Sequence, residues 1–277
     1  MRTSSLKPSS ENFAARIRLR ALELCFVKRA SHIGGAFSIA DILAVLYQEV
    51  LEIDPATPKD PCRDRFFFSK GHACTTLYAT LEAKGFFPEI DLLQEFTRDG
   101  SHFTSHINHN LPGIELSTGS LGHALGVSCG VALAAKKANK PFTVFTIVSD
   151  GELDEGSNWE AILFAPQHKL DNLVLIVDYN KIQSFGSTDE ILSLDPLGAK
   201  FKAFNWMVFE IDGHSHAQIS KTLAMAKSDR SGTPKVIIAH TIKGKGVGFM
   251  ENQLMWHYKS PSPLEYENAR AQLSENL

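Results

Sequence analysis

Three near-continuous apolar runs, FTVFTIV at 142–148, NLVLIVD at 172–178 and KVIIAH at 235–240, do most to limit what this chain can fold into. Apolar and polar residues do not alternate in them, so each reads as a strand covered on both faces, the pattern of a parallel sheet. A fourth run, MVFEI at 207–211, is a further strand. Between the first two lies EGSNWEAILFAPQHKL (155–170), long enough and apolar enough to be the crossover helix that parallel neighbours require. The expected class is therefore α/β: a doubly wound, mostly parallel sheet with helices on both faces. At 277 residues and 43% hydrophobic content, one domain over 1–277 can bury its core, with 1–10 expected as a flexible tail.

The remaining segments fit that frame. Phe13, Ile17, Ala21, Leu24 and Cys25 share a helical face within 12–30, and Ser38 is placed to cap a second helix carrying Ile42, Leu43, Leu46 and Val50. The proline-rich DPATPKDPCRDR is a loop, RFFFS a strand, and ACTTLYATLEAKG a helix closed by Gly85. GSHFTSHINHNLPGIE is a long irregular loop, of a length that usually carries function. In the helix that follows, Gly122, Gly126 and Gly130 form a ridge that suits close packing within the chain and a subunit interface equally.

Composition excludes several classes of partner. A net charge of −3 and no Lys/Arg run longer than two leave no footprint for nucleic acid or for a membrane surface, so a small-molecule partner is expected. Cys25, Cys62, Cys74 and Cys129 are widely spaced and read as reduced core thiols. With no targeting segment and no apolar run near the ~18 residues of a spanning helix, a cytoplasmic protein is expected.

The stretch SDGELDEG (149–156) places its acids and glycines where a strand ends. Asp150 closes one strand and Asp178-Tyr179-Asn180 the next, so both face the same sheet edge, where ligands of open parallel sheets bind. A carboxylate and an amide oxygen there can share a hard cation; Mg²⁺ suits, because it is held by few protein ligands together with phosphate oxygens. Gly151 lets a diphosphate approach, and the next helix offers its N-terminus. Glu152, Asp154 and Glu155 are expected as a solvated first turn.

SDGELDEGSNWEA followed by NLVLIVDYNKIQ resembles the thiamin-diphosphate motif in the form found in transketolases. SHIGGAFSIADILAVLY, FFFSKGHACTTLYATL, GIELSTGSLGHALGVSCGVAL and HTIKGKGVGFMENQLMWHYK resemble, in order, successive blocks of the N-terminal half of that family. The resemblance implies the thiamin-diphosphate-binding fold, with thiamin diphosphate and Mg²⁺ as cofactors. It further implies transfer of a two-carbon ketol unit from a ketose, free or phosphorylated, to an aldose. Asp150, Asn180 and the carbonyl of Ile182 would hold the metal, and with them Gly151, Gly119, Leu121, Glu155 and His72 would bind the cofactor. Glu155 matches a glutamate of an acidic network joining paired sites, with Glu160 one turn on. Of the 11 histidines, His32, His72, His106 and His257 would be catalytic: His32 or His257 as a base of near-neutral pKa, His72 and His106 as hydrogen-bond partners of the reacting unit. His240, at the same sheet edge, could line the site, while His102, His109, His168, His214 and His216 are read as ordinary. Since the rest of a transketolase site lies in a following domain, the chain is expected to be one subunit of a split enzyme. A C-terminal transketolase-type subunit would complete it, as a heterotetramer with two of each chain.

Ser149, Ser105-His106-Ile107, His123 and Tyr258 depart from the family pattern (Gly; Gly-His-Pro; Gln; Gly). Those beyond Ser149 are expected near the pocket, which points to a specialised ketol transfer. Three other readings compete: a zinc hydrolase using His102, His106 and His109 at i, i+4, i+7, a non-catalytic scaffold, and a thiamin enzyme decarboxylating a 2-oxo acid.

Overall fold

A computed structural model describes residues 9–275 and 277. Five strands form one sheet: β1 (Arg65–Phe68), β2 (Val144–Ser149), β3 (Leu173–Tyr179), β4 (Met207–Asp212) and β5 (Lys235–His240). Their order is β1-β2-β3-β5-β4 and every neighbouring pair is parallel. The helices are α1 (Ser10–Val27), α2 (Ile33–Ser38), α3 (Ala40–Val45), α4 (Cys74–Lys84), α5 (Leu92–Glu95), α6 (Ala124–Lys137), α7 (Gly156–Gln167), α8 (Thr188–Ile191), α9 (Leu197–Ala203), α10 (His216–Ser228) and α11 (Pro263–Ser274). Of the expected tail, residues 1–8 lie outside the described residues; Ser9 caps α1, its Oγ accepting from the Asn12 N–H at 3.2 Å, and Ser10 begins it.

Because successive strand residues point to opposite faces, the apolar runs feed two cores. Phe145, Ile147, Val174, Ile176 and Ile237 pack with α1, α3, α4 and α10 on one side. Val144, Val148, Leu175, Val177 and Ile238 pack with α6, α7 and α9 on the other. A smaller cluster ties α1 and α2 to Val247, Met250, Trp256 and α11. Of the two edge strands, β1 is buried at three of its four residues while β4 is less enclosed, with only its Ile211 buried.

Two local expectations are revised. Ser38 is the last residue of α2 rather than a cap; its hydroxyl lies 3.0 Å from the Gly35 carbonyl and gives its one proton to the Asp178 carboxylate at 2.7 Å. Gly122 precedes α6 with φ +81°, and a Cβ there would strike Ser157 and Glu155 at 2.6 and 2.7 Å. Gly126 and Gly130 are exposed on α6, and among the described residues nothing beyond their chain neighbours and the backbone of α6 itself comes within 4 Å of where a Cβ would stand on either, so packing within the chain accounts for Gly122 but not for the other two.

The parallel arrangement puts the ends of all five strands on one rim. At that rim Gly71 touches the 118 loop so closely that a Cβ would meet the Thr118 carbonyl oxygen at 2.4 Å. Since the obstacle is backbone, Gly71→Ala must displace one of the two segments, and it is expected to cost about 1–3 kcal/mol, read as a lower urea midpoint with unchanged slope.

Candidate active site

A cavity of about 220 Å³ opens at the carboxyl rim. Its lining draws on the segments after β1 (Lys70, His72), β2 (Asp150, Gly151), β3 (Asn180, Ile182) and β5 (Lys243), together with His32, His106 and His257. Asp150, 1% exposed, accepts from the N–H of Gly151 at 2.8 Å and of Lys181 at 2.5 Å. The Asn180 Oδ1 accepts from the Ile182 N–H at 3.1 Å, while its Nδ2 donates to Asp178 at 3.2 Å. The Ile182 carbonyl accepts from the Lys243 ammonium at 2.8 Å.

Among the described residues no cationic side chain bonds Asp150. Burial, then the neighbouring Asp178, push its carboxyl up to about 6. An under-neutralised carboxylate beside an amide oxygen and a backbone carbonyl is a hard, all-oxygen set, and it fits Mg²⁺ in a site where phosphate supplies further ligands. Gly151 leaves the rim open: a Cβ there would collide with the Gln183 Cβ at 2.6 Å.

Two polar groups beneath this set escaped sequence reasoning. Lys70, 1% exposed, donates to the Asp178 carboxylate and to the Gly35 carbonyl, the latter at 3.0 Å. Asp178 is fully buried and also accepts from Ser38 and Thr241. Burial alone would raise its pKa; the Lys70 ammonium, its hydrogen bond and those of Thr241 and Ser38 together outweigh that and hold it below the usual carboxylate range. Glu152 is likewise fully buried, not part of a solvated turn. The turn Gly151–Asp154 is a tight 3₁₀ turn that points Glu152 inward, where it accepts from the Ser69 hydroxyl and from the N–H groups of Gly122 (2.9 Å) and Ser149 (3.3 Å). Asp154 is half-buried and accepts from the Gln183 amide at 3.0 Å, whereas Glu155 is exposed.

The histidines expected to act together do come together. The His32 ring centroid lies 5.1 Å from those of His72 and His257 and 6.3 Å from that of His106. His72 and His257 are 5.9 Å apart. None is a base of near-neutral pKa here. Burial, with His106 and the two lysines adding to it, pushes His32 down to about 4; burial and Lys243 push His257 down to about 3. His72 and His106 are lowered too, chiefly by burial. All four are neutral imidazoles at physiological pH, each with one donor and one acceptor nitrogen. The Lys243 Nζ, 3.0 Å from the His257 Nδ1, donates to it, which leaves the His257 proton on Nε2.

Comparison with known proteins decides the family. Residues 9–274 match the family described as "Transketolase, thiamine diphosphate binding domain". The chain belongs to the transketolase family. It is similar to an apulose-4-phosphate transketolase subunit of Phocaeicola vulgatus, 40% identical with 94% of this chain and 92% of the relative covered. A 6-deoxy-6-sulfo-D-fructose transketolase subunit of a Clostridium species is 42% identical with 94% of both covered. The solved transketolase of Campylobacter jejuni superposes with a TM-score of 0.90 at 31% identity, over 97% of this chain but only 43% of that one.

Within this transketolase-family site, Gly119, Leu121, Gly151 and Ile182 line the cavity with the histidines, but Glu155 does not. Gly119 has φ +149°, and a Cβ there would meet the His106 ring at 2.5 Å. Of the departures from the transketolase pattern, Ser149 and Tyr258 line the cavity. Ile107 instead belongs to the core, and His123 is exposed on the groove between α6 and α7 that Glu160 also lines. His240 pairs with Glu210 at 3.3 Å, away from the lining. The segment 101–109 is loop rather than helix, so its histidines share no face; His109 bonds Ser117 at 2.7 Å while His106 turns into the cavity.

The raised Asp150 pKa fixes a pH dependence. The native chain holds that proton from near pH 4, where the unfolded carboxyl releases it, up to about 6, so stability falls as pH rises through this window and stays low above it. In chelator, the chain should lose roughly 1–3 kcal/mol of stability through this group between pH 4 and pH 7.5, a loss absent from Asp150→Asn, which is weakened equally at both pH values because its amide NH2 must face one of the two N–H donors. Urea titrations at the two pH values check this; an Asn variant that loses as much stability between them as the unsubstituted chain contradicts it.

Proposed function

We propose that this chain is the diphosphate-binding subunit of a two-component transketolase, which moves a two-carbon ketol unit from a ketose or ketose phosphate to an aldose. The observation that carries this reading is the oxygen set of Asp150, Asn180 and Ile182 lying in one cavity with four neutral imidazoles. Asp150, Asn180 and the Ile182 carbonyl would hold Mg²⁺, and Gly119, Leu121, Gly151 and His72 would contact thiamin diphosphate. Bound there, the cofactor supplies the nucleophilic carbon and electron sink for breaking and making a C–C bond beside a carbonyl. His32, His72, His106 and His257 orient substrate hydroxyls and move protons at them; a neutral imidazole nitrogen accepts, its N–H partner donates. A row of hydroxyls on the substrate gives four such groups work, which favours a ketose over a 2-oxo acid.

The relatives named as transketolase subunits support a separate complementary subunit, and we propose two copies of each. Phe185, 77% exposed and next to the cavity-lining Ser184, offers it apolar surface beside the cavity. Glu155, exposed at the start of α7, is available to an acidic network between paired sites. The Tyr258 ring, 4.6 Å from His257 and 5.8 Å from His32, narrows the cavity mouth and supports a specialised substrate. A cytoplasmic location agrees with four free cysteines. Among the described residues, no helix is long and apolar enough to cross a membrane.

In the assembled enzyme, Asn180→Ala should weaken Mg²⁺-dependent cofactor binding about tenfold, and Asp150→Ala more, with the fold unchanged; calorimetry that finds both unaltered overturns the metal assignment. His72→Ala and His257→Ala should keep most of the affinity while kcat/KM falls by about 10²–10⁴.

The chain alone should show no ketol transfer, and activity should appear and saturate as the complementary subunit is titrated in. Full turnover by the isolated chain, assayed with ketose donors, thiamin diphosphate and Mg²⁺, would remove the two-component reading.

A further inference from the structure

The loop after β5 separates two cavities. Lys243 lines the candidate active site, whereas Lys245 and Gly246 line a second cavity with Arg18, Asp41, His214 and His216. In that second cluster Asp41 is 5% exposed and grips Arg18 from α1 through both oxygens, at 2.9 and 2.6 Å. Asp41 also faces His214 at 2.6 Å and His216 at 3.2 Å, and His216 reaches on to the Ser10 hydroxyl at 2.9 Å.

The His214 ring spans from this carboxylate to the loop. Its Nε2 is 2.8 Å from the backbone nitrogen of Ile242. A backbone N–H can only donate, so Nε2 is the acceptor, the ring proton sits on Nδ1, and that N–H points at Asp41. A carboxylate thus orders the tautomer of an imidazole whose other nitrogen holds a fixed partner, the logic by which outer residues orient metal-bound histidines. Beyond Gly244 the loop is held by Lys245 to the Ile242 carbonyl at 3.2 Å and Gly246 to Glu251 at 3.0 Å, and the Lys243 carbonyl accepts from the Asn252 N–H at 2.8 Å; from Thr241 to Gly244 three backbone N–H groups are tied down, Thr241 to the Tyr179 carbonyl at 3.2 Å, Ile242 to His214, and Gly244 to the Gly34 carbonyl at 2.9 Å. Of these three, only the Ile242 bond depends on a side chain. The next residue, Lys243, is the one whose ammonium bonds the Ile182 carbonyl and His257.

We infer that His214, braced by Asp41, is a positioning residue for the active site: it pins the backbone at Ile242 and so sets where Lys243 reaches into the cavity. Its consequence for cofactor affinity rests on the thiamin diphosphate reading above; the pinning itself does not. His214→Phe keeps the ring's bulk and removes the acceptor, while His214→Gln puts an oxygen near the place of Nε2.

Two measurements on the full-length chain, with the complementary subunit present for the binding arm, test the inference. In hydrogen exchange followed by mass spectrometry, peptides covering 241–246 should exchange faster in His214→Phe and near the unsubstituted rate in His214→Gln, with peptides of β3 unchanged. In calorimetric titrations of thiamin diphosphate with Mg²⁺, His214→Phe should bind about tenfold more weakly and His214→Gln within about threefold. His214→Phe combined with Lys243→Ala should bind no more weakly than Lys243→Ala alone, since the two act as one. Additive losses would reduce His214 to general stability and overturn its action through Lys243. Unchanged exchange at 241–246 would overturn the pinning. If the unsubstituted protein binds no thiamin diphosphate, the functional reading fails and the exchange result alone decides the inference.

Discussion

The rim of the sheet depends on one buried ion pair, Lys70 with Asp178. Withdrawing both groups from water costs several kcal/mol per ion unless hydrogen bonds take the place of the solvent. The chain supplies them: Asp178 receives Lys70, Ser38, Asn180 and Thr241, and Lys70 also reaches Gly35. Those donors and acceptors come from α2, the end of β1, the end of β3 and the loop after β5. Satisfying one carboxylate therefore requires four distant segments to arrive together. The Asn180 amide is oriented in the same act, since one end is spent on Asp178 and the other is left near the cavity.

Electrostatics above the pair follow from the same crowding. Burial pushes the Lys243 ammonium down to about 8, with Lys70 adding to it, and the two lysines help hold His32 and His257 uncharged. The positive charge of the cavity thus sits on lysine ammonium groups, while the imidazoles remain free to exchange protons with hydroxyls. On the oxygen side, Asp150 is left without a cationic side chain next to that field. A cation-accepting carboxylate and anion-accepting ammonium groups thus share one small cavity, meeting where Lys243 bonds the Ile182 carbonyl, which suits a metal carrying a phosphorylated group once that carbonyl exchanges the ammonium for the metal.

How much of this was legible depended on range. The apolar runs at 142–148, 172–178 and 235–240 declared themselves because strands buried on both faces carry their signal locally. Asp150 and Asn180 were legible for a related reason: a crossover of one helix forces both strand ends to the same edge. Glu152 was misread because a helix start and a 3₁₀ turn have the same acidic sequence and opposite facing. Lys70 gave no signal, since a lysine after a strand reads as surface until its partner 108 residues away is known. Ser38 has the composition of a cap and the position of a helix end. The meeting of His32, His72, His106 and His257 follows from no periodicity; only resemblance to transketolases indicated it, and the same resemblance placed His123 and Ile107 nearer the cavity than they lie.

His32 holds its place in left-handed backbone, at φ 69°, immediately before α2. Its N–H donates to the His257 carbonyl at 2.8 Å and its carbonyl accepts from Ala36 at 3.0 Å, so the conformation is enforced from both sides. A residue other than glycine pays of order 1 kcal/mol or more for such geometry. Glycine at 32 would relieve that strain, but it would remove an imidazole from the cluster together with its bond to the Ser31 hydroxyl. The strain at position 32 is thus the cost of aiming an imidazole into the cavity from a backbone that the His257 carbonyl and Ala36 hold fixed.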